Sequence, residues 1–123
     1  MQTVATALVV LIGVVHCYFL VLEMFLWTTP FGLKTFGRSR EEMEATKVLA
    51  GNQGLYNGFL AAGLFWSAFA SGGSGRELRL FFLGCVLVAG VYGGATAAKK
   101  ILYVQALPAL IAIACVLLFG SAS

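Results

Sequence analysis

The sequence has few charged residues and only two prolines. Charged side chains make up 11% of its 123 residues, whereas 60% are hydrophobic. A soluble domain carries about 25% charged and about 45–50% apolar residues, so this chain has too little polar surface to cover itself in water. We therefore expect it to lie in a lipid bilayer. The composition excludes a disordered chain, a secreted disulfide scaffold and a soluble nucleic-acid-binding protein.

Cysteine and histidine are also scarce, and their positions suggest no metal or cofactor site. Cys17, Cys85 and Cys115 are odd in number, lie inside apolar stretches and lack CxxC spacing, so we expect them to pack as small apolar side chains. The adjacent His16 and Cys17 would point about 100° apart on a helix, which is a poor arrangement for chelation. The sequence has no strong haem or nucleotide motif. It therefore predicts no metal site and leaves any cofactor unassigned.

Long apolar stretches are abundant. The charged residues come in clumps, and between the clumps lie four stretches, each near the ~20 residues that cross ~30 Å of hydrocarbon as a helix. The stretches cover residues 3–27, 48–70, 78–98 and 101–120, and residues 28–47 form an amphipathic loop. The N-terminus lacks the basic region and cleavage site of a signal peptide, so we expect the first stretch to remain in the mature protein. The sequence predicts a single transmembrane domain over residues 1–123, an all-α bundle of four transmembrane helices.

The basic residues indicate an orientation. The first and third loops would share one face and together hold six Lys and Arg residues, whereas the second loop and both termini hold two, Arg76 and Arg79, counted as charges of the second loop. The side richer in Lys and Arg is normally cytoplasmic. We therefore expect a multi-pass protein with both termini outside the cytosol and the 28–47 loop in the cytoplasm. The basic residues of that loop could also bind anionic headgroups, although a topology signal is sufficient to explain them.

Local motifs predict where some helices begin and end. Ser39-Arg-Glu-Glu42 fits a capping box, so we expect a helix that begins near Arg40 and runs on into the second span. Pro30 and Gly32 should stop the first helix. Residues 71–75, Ser-Gly-Gly-Ser-Gly, are typical of a flexible turn.

The junction between the third and fourth stretches is tighter. Lys99-Lys100 leaves almost no room for a loop, so these two spans should form a tight antiparallel hairpin. Pro108 should kink the fourth helix and free a backbone carbonyl near Val104.

Small residues spaced four apart indicate where helices contact each other in a membrane, because association there depends on close packing. One such ladder is Gly54-x-x-x-Gly58-x-x-x-Ala62 on the second span, and the other is Gly90-x-x-x-Gly94 on the third. The ladders could face each other within one subunit, or they could face a second copy across a homodimer. The sequence leaves both arrangements open.

Polar side chains inside the predicted spans define the candidate site. His16 and Glu23 lie seven positions apart and so about 20° from the same face of the first helix. The polar residues of the second span occupy an arc of about 140°, and at ~1.5 Å per residue the polar groups of all four spans fall in the cytoplasmic half. On this scale Glu23 and Asn52 lie at the same level, about 6 Å from the cytoplasmic end. The candidate ligand-binding residues are Glu23, His16, Asn52, Gln53, Tyr56, Asn57, Tyr92 and Gln105. They predict a polar pocket that opens towards the cytosol, with Glu23 as its anionic centre.

These polar groups have two interpretations. Asn, Gln and Tyr side chains could simply bond across helices, a contact worth only ~0.6 kcal/mol on average. A charge at the centre of a span costs about 2.5–3.5 kcal/mol on insertion scales, so Glu23 is the stronger functional candidate and would hold a cation or carry a proton. A neutral His16 bonded to Asn57 or Tyr56 would need no further role.

Several segments resemble a known family over nearly the whole chain. Besides His16, they are residues 22–30 (LEMFLWTTP), 44–47 (EATK), 52–61 (NQGLYNGFLA), 90–93 (GVYG) and 104–108 (VQALP). Together they resemble the small bacterial inner-membrane proteins classed as domain of unknown function thirteen hundred and four. The resemblance implies an integral protein of the bacterial inner membrane with four spans. It supplies no agreed activity and no catalytic residues.

Two functions remain as hypotheses. In the first, a small binding or transport protein receives a cation, a proton or a polar small molecule at Glu23 from the cytosolic side. In the second, a membrane-embedded enzyme acts on a lipophilic substrate, with Glu23 and His16 as acid and base. A purely structural partner of a larger complex is a third possibility. In each case the lipid bilayer is the expected partner, with a small-molecule ligand and a second copy of the chain as further candidates and no nucleic acid.

Overall fold

The computed structural model describes residues 2–119, which form helices and the turns between them. The α-helices are α1 (Gln2–Met24), α2 (Pro30–Phe36), α3 (Arg40–Ala45), α4 (Lys47–Phe69), α5 (Gly72–Thr96) and α6 (Leu107–Phe119), and a π-helical turn occupies Leu102–Ala106 directly before α6. No strand occurs within the described range, so the predicted all-α class is confirmed.

Three helices are long and apolar enough to cross a membrane. They are Gln2–Met24, Gly72–Thr96 and the continuous helical stretch Leu102–Phe119. The remaining long helix, α4, has 23 residues, but its glycines and the polar residues Asn52, Gln53 and Asn57 lower its hydropathy. The structure thus gives three candidate membrane-spanning helices where the sequence predicts four.

The chain divides into two compact units, with the boundaries inside α1 and α4. The central unit comprises residues 14–61. The terminal unit comprises, of the described residues, 2–13 and 62–119.

The first part of the predicted 28–47 loop is helical. Pro30 lies in the first turn of α2, where its missing N–H costs nothing because no helical partner exists there. The Thr29 hydroxyl caps α2 by accepting a 3.3 Å hydrogen bond from the Gly32 N–H, and Gly37 ends α2 in the left-handed conformation with φ 63°. Because α1 already ends at Met24, the expectation that Pro30 and Gly32 stop the first helix is wrong, and both residues lie in the first turn of the next one.

The predicted capping box is confirmed at the start of α3. Ser39 Oγ accepts a 3.2 Å hydrogen bond from the Glu42 N–H, and Glu42 Oε2 accepts one of 3.1 Å from the Ser39 N–H. The helix does not run on unbroken into the second span, because Thr46 lies between α3 and α4 with φ −107° and ψ 6°. Thr46 Oγ1 accepts a 3.1 Å hydrogen bond from Trp27 Nε1, which ties this break to the chain segment after α1.

The turn between α4 and α5 is shorter than predicted. Of residues 71–75, only Ser71 lies outside α5, which begins at Gly72. Gly72 has φ 70°, a conformation that favours glycine. A Cβ on Gly75 would collide with the carbonyl oxygen of Ala70. The glycines of this segment therefore allow a close reversal of the chain instead of forming a flexible turn.

The tight hairpin predicted around Lys99-Lys100 is present. Gly90 of α5 lies against the backbone of Ala106, where an added Cβ would come within 2.5 Å of the Ala106 nitrogen, and Gly94 lies against Leu102. The two segments are antiparallel, because Gly90 contacts Ala106 whereas Gly94, later on α5, contacts Leu102, earlier in the π-helical turn. A π-helical turn precedes Pro108, and in it the Leu107 N–H bonds to the Leu102 carbonyl. The kink at Pro108 and the free carbonyl near Val104 remain predictions.

The glycines of both small-residue ladders pack within the chain, whereas Ala62, the last residue of the first ladder, is exposed. In the central unit Gly54 and Gly58 face α1, where Leu20 lies against each of them. In the terminal unit Gly90 and Gly94 face Ala106 and Leu102 of the π-helical turn. Each ladder therefore brings its helix close to another segment of the same chain.

Candidate functional site

The centre of the candidate site is a contact between Glu23 and Asn57 in the central unit. Glu23 lies in the last turn of α1 and is 6% exposed. Asn57 Nδ2 of α4 donates a 2.6 Å hydrogen bond to Glu23 Oε1. Gly54, one turn earlier on α4, makes this approach possible, because a Cβ there would come within 3.0 Å of Glu23 Cβ and 2.8 Å of Met24 Cγ.

The Glu23 carboxylate has no positive partner among the described residues. Asn57 is its only hydrogen-bond partner, and no Lys or Arg of the described chain pairs with it. Its second oxygen, Oε2, forms no hydrogen bond with the described residues. Every fully enclosed polar side-chain atom in that part of the chain has a hydrogen-bond partner, so an oxygen without one is not fully enclosed. Oε2 is therefore accessible. One oxygen is fixed by an amide while the other can accept a hydrogen bond or contact a cation.

His16 lies two turns before Glu23 on α1 and is fully buried. Its ring packs edge to face against Phe19, with 5.4 Å between the ring centroids. Seven residues of helix place it about 10.5 Å from Glu23 along the axis, so the two side chains point the same way at different depths. The acid and base pairing of His16 with Glu23 remains a prediction.

The other three predicted site residues of α4 point away from Glu23. Asn52, Gln53 and Tyr56 are exposed, and Asn52 Nδ2 donates to the Val48 carbonyl of its own helix at 2.9 Å. At 100° per residue only Asn57 shares the face of Gly54 and Gly58 that packs on α1. A role for the exposed three in binding a ligand remains a prediction.

The register between α1 and α4 also differs from the expected one. Levels inferred from the span ends match Glu23 with Asn52, whereas Glu23 meets Asn57, five residues further along α4. α1 ends at Met24, one residue after Glu23, whereas α4 begins at Lys47, ten residues before Asn57. Glu23 therefore lies beside the third turn of α4 and not beside its first turns.

Tyr92 and Gln105, the last two predicted site residues, belong to the terminal unit. Tyr92 is 70% exposed on α5, and Gln105 is half-buried within the π-helical turn. Their predicted contribution to a pocket around Glu23 remains a prediction.

A buried arginine is the feature that the sequence reasoning missed. Arg79 is predicted as a loop charge, but it lies in α5 and is 7% exposed. Its Nε donates a 3.0 Å hydrogen bond to the Ser67 carbonyl and its Nη2 a 3.1 Å bond to the Ala68 carbonyl. These carbonyls lie in the last turn of α4, where no helical N–H remains to bond them. A basic residue shortly after a glycine-rich turn is the sequence signal that could have indicated this cross-helix cap.

The described cysteines and acidic residues form no cluster suited to a metal ion. Residues 2–119 contain no group of three His, Cys, Asp or Glu side chains placed to hold one. Cys17, Cys85 and Cys115 are free thiols, and Cys17 is exposed.

Comparisons with known proteins place the chain in a family. Residues 10–117 match the model of the family described as "Protein of unknown function (DUF1304)". The chain is also 32% identical over 115 residues to the "Uncharacterized protein YpaA" of Lactococcus lactis subsp. lactis (strain IL1403), covering 92% of this chain and 96% of that protein. No solved structure matches the chain. The chain belongs to this family of uncharacterised proteins, which confirms the resemblance seen in its segments.

Proposed function

We propose that this protein is a multi-pass protein of the bacterial inner membrane that binds a small monovalent cation, organic or inorganic, at Glu23. The observation that carries the proposal is the state of the carboxylate. It is buried, it has no positive partner in the described chain, and one of its oxygens is held by Asn57 while the other is accessible. A buried carboxylate needs a partner or must lose its charge, and a bound cation or proton meets that need.

The proposal includes α4 as a fourth crossing. Its 23 residues span about 34 Å at 1.5 Å per residue, which is enough for ~30 Å of hydrocarbon. Its only charged residue is Lys47 at its first position. The polar residues that lower its hydropathy include Asn57, whose amide is turned inward to Glu23.

The proposed orientation places α2 and α3 in the cytosol, together with the Lys99-Lys100 junction. Its support is the count of basic residues, since the first and third loops hold six Lys and Arg and the opposite side holds two, Arg76 and Arg79. In this orientation Glu23, in the last turn of α1, is reached from the cytosol.

Cation binding can be measured directly on the full-length protein in detergent micelles. The probes are radiolabelled tetraphenylphosphonium and, in competition with it, sodium and potassium. We expect Glu23→Gln to weaken binding at least tenfold, equal to about 1.4 kcal/mol, because the amide keeps the contact with Asn57 but removes the charge. Glu42→Gln is the matched control, because Glu42 is an exposed carboxylate outside this contact. The same affinity in wild type and Glu23→Gln, or no binding of any of the three cations, would contradict the proposal.

The topology can be tested by cysteine labelling in intact cells. In a background with the three native cysteines replaced by alanine, Arg38→Cys, Ser71→Cys and Lys99→Cys are treated with a membrane-impermeant maleimide. We expect labelling of Ser71→Cys in intact cells and of the other two only after permeabilisation. If Arg38→Cys and Ser71→Cys react on the same side, α4 does not cross the membrane.

A further inference from the structure

The terminal unit contains a cavity of about 250 Å³ where α4 ends and α5 begins. Its lining includes residues 68–72, Gly75, Arg76 and Arg79, together with Gln2 of α1 and Val116 of α6. This volume is several times the ~30 Å³ share of a water molecule and lies below the ~300–1,000 Å³ of pockets for drug-sized ligands. The cavity therefore suits a small polar group.

The charge of the lining is positive. Arg76 and Arg79 both line the cavity, and none of the described lining residues is acidic. Arg76 is half-buried and forms no hydrogen bond or ion pair with the described residues. Glu77, the only acidic residue nearby in sequence, is exposed and lies outside the lining.

Arg79 supplies a buried donor that is only partly used. Two of its nitrogens are bound by the α4 carbonyls, and Nη1 has no partner in the described chain. Every fully enclosed polar side-chain atom among the described residues has a partner, so the unpaired Nη1 must be accessible. Arg79 also lines the cavity. Arg79, which is more than nine-tenths buried as a residue, thus keeps N–H donors that no described residue uses and lines this space.

The start of α5 adds further donors at the same place. Ser71 occupies the N-cap position, but its side chain forms no capping hydrogen bond. The first N–H groups of a helix have no helical partner and carry the positive end of the helix dipole. Ser71, Gly72 and Gly75 line the cavity, and glycine leaves the backbone open to a ligand. Helix starts of this kind bind phosphate and other anions.

We propose that this cavity binds a phosphate group through Arg79, Arg76 and the start of α5. Guanidinium groups match the geometry of phosphate oxygens, and α5 is one of the three helices apolar enough to cross a membrane, so its first turns lie near the level of lipid headgroups. The phosphate could belong to a lipid headgroup or be free inorganic phosphate. The proposal is independent of Glu23 and of whether α4 crosses the membrane.

The test uses the full-length protein in two kinds of nanodisc and follows its thermal unfolding. One kind contains phosphatidylcholine only, and inorganic phosphate is titrated against chloride at equal ionic strength. The other contains increasing fractions of phosphatidylglycerol, without inorganic phosphate. Stabilisation in the first series identifies free phosphate, and stabilisation in the second identifies a lipid headgroup. Stabilisation in neither series overturns the proposal.

Variants show whether the effect comes from this cavity. We expect Arg76→Gln to weaken binding about fivefold, the equivalent of ~1 kcal/mol for a basic residue near an anionic surface. Arg79→Lys should weaken it as well, because the compact ammonium group cannot both cap α4 and reach the ligand. Arg38→Gln, which removes a basic residue of the first loop outside the cavity, should leave binding unchanged. If Arg79→Lys does not fold, Arg76→Gln decides alone. Equal stabilisation of wild type and Arg76→Gln would refute the assignment.

Discussion

The Asn57 side chain on α4 donates a 2.6 Å hydrogen bond to the carboxylate of Glu23 in the last turn of α1. This bond and the contact of Gly54 and Gly58 with Leu20 lie on the same face of α4. Together they fix the register of α1 and α4 within the central unit. The only acidic residue inside an apolar stretch of this chain is thus held by an amide and not by a basic residue.

Asn57→Ala should destabilise the protein. Removing the amide leaves both oxygens of a buried carboxylate without a partner in the described chain, and a lost hydrogen bond of this kind costs about 1–3 kcal/mol. The free energy of unfolding can be measured by denaturation with sodium dodecyl sulfate in mixed micelles. Asn52→Ala is the matched control, because its amide is exposed and bonds only to its own helix. We expect the control to change the free energy by less than about 0.5 kcal/mol, and equal effects of the two substitutions would contradict the inward role of Asn57.

Gly90→Ala should loosen the hairpin of α5 and the π-helical turn. The new Cβ would come within 2.5 Å of the Ala106 nitrogen and 2.8 Å of its Cα, and backbone atoms cannot move aside as a flexible side chain can. Overpacking of this kind costs about 1–3 kcal/mol.

The control for Gly90 is Gly84→Ala on the same helix. A Cβ on Gly84 meets nothing within 4 Å, and replacing glycine by alanine within a helix is favourable by up to about 1 kcal/mol. The two substitutions should therefore change the midpoint of thermal unfolding in opposite directions. A stabilising effect of Gly90→Ala would show that α5 and the Ala106 backbone are further apart than described.

Arg79→Met should destabilise the terminal unit. Methionine retains an unbranched, flexible side chain but loses the donors that bond the Ser67 and Ala68 carbonyls, and each hydrogen bond from a charged group contributes about 1.5–3 kcal/mol. Hydrogen exchange should increase first in the last turn of α4. Arg76→Met is the control, since Arg76 has no bond to the described residues. It should leave this exchange unchanged while it weakens phosphate binding, which separates the structural role of Arg79 from the shared role of both arginines.

Ser39→Ala should destabilise α3. The substitution removes the acceptor for the Glu42 N–H and breaks the capping box, at a cost of about 0.5–2 kcal/mol. Amide exchange across residues 40–45 would report the loss. Thr35→Ala is the control, because the Thr35 hydroxyl only bonds back to the Phe31 carbonyl of its own helix, an interaction that contributes little to helix stability. Unchanged exchange in α3 would mean that the helix does not depend on its cap.

The sequence was sufficient for features that depend on local physics. Apolar length and scarce charge determined the all-α class and the presence of helices long and apolar enough to cross a membrane, because a helix satisfies its own backbone hydrogen bonds within one segment. The capping box at Ser39 and the hairpin at Lys99-Lys100 were likewise predictable, since each depends on residues close together in the chain. Segments of the sequence also sufficed to indicate the family.

Only the tertiary structure decided which polar side chains meet. The sequence gives no reason to prefer one of the four polar residues of α4, Asn52, Gln53, Tyr56 and Asn57. In the structure Asn57 alone lies on the face of α4 that packs against α1 through Gly54 and Gly58. From the sequence, Arg79 is predicted as a charge in a loop. In the structure α5 begins at Gly72, and the Arg79 guanidinium group bonds to the end of α4. Both outcomes depend on the register and rotation of one helix against another. The periodicity of a single helix gives its faces but not the depth at which a neighbouring helix meets them.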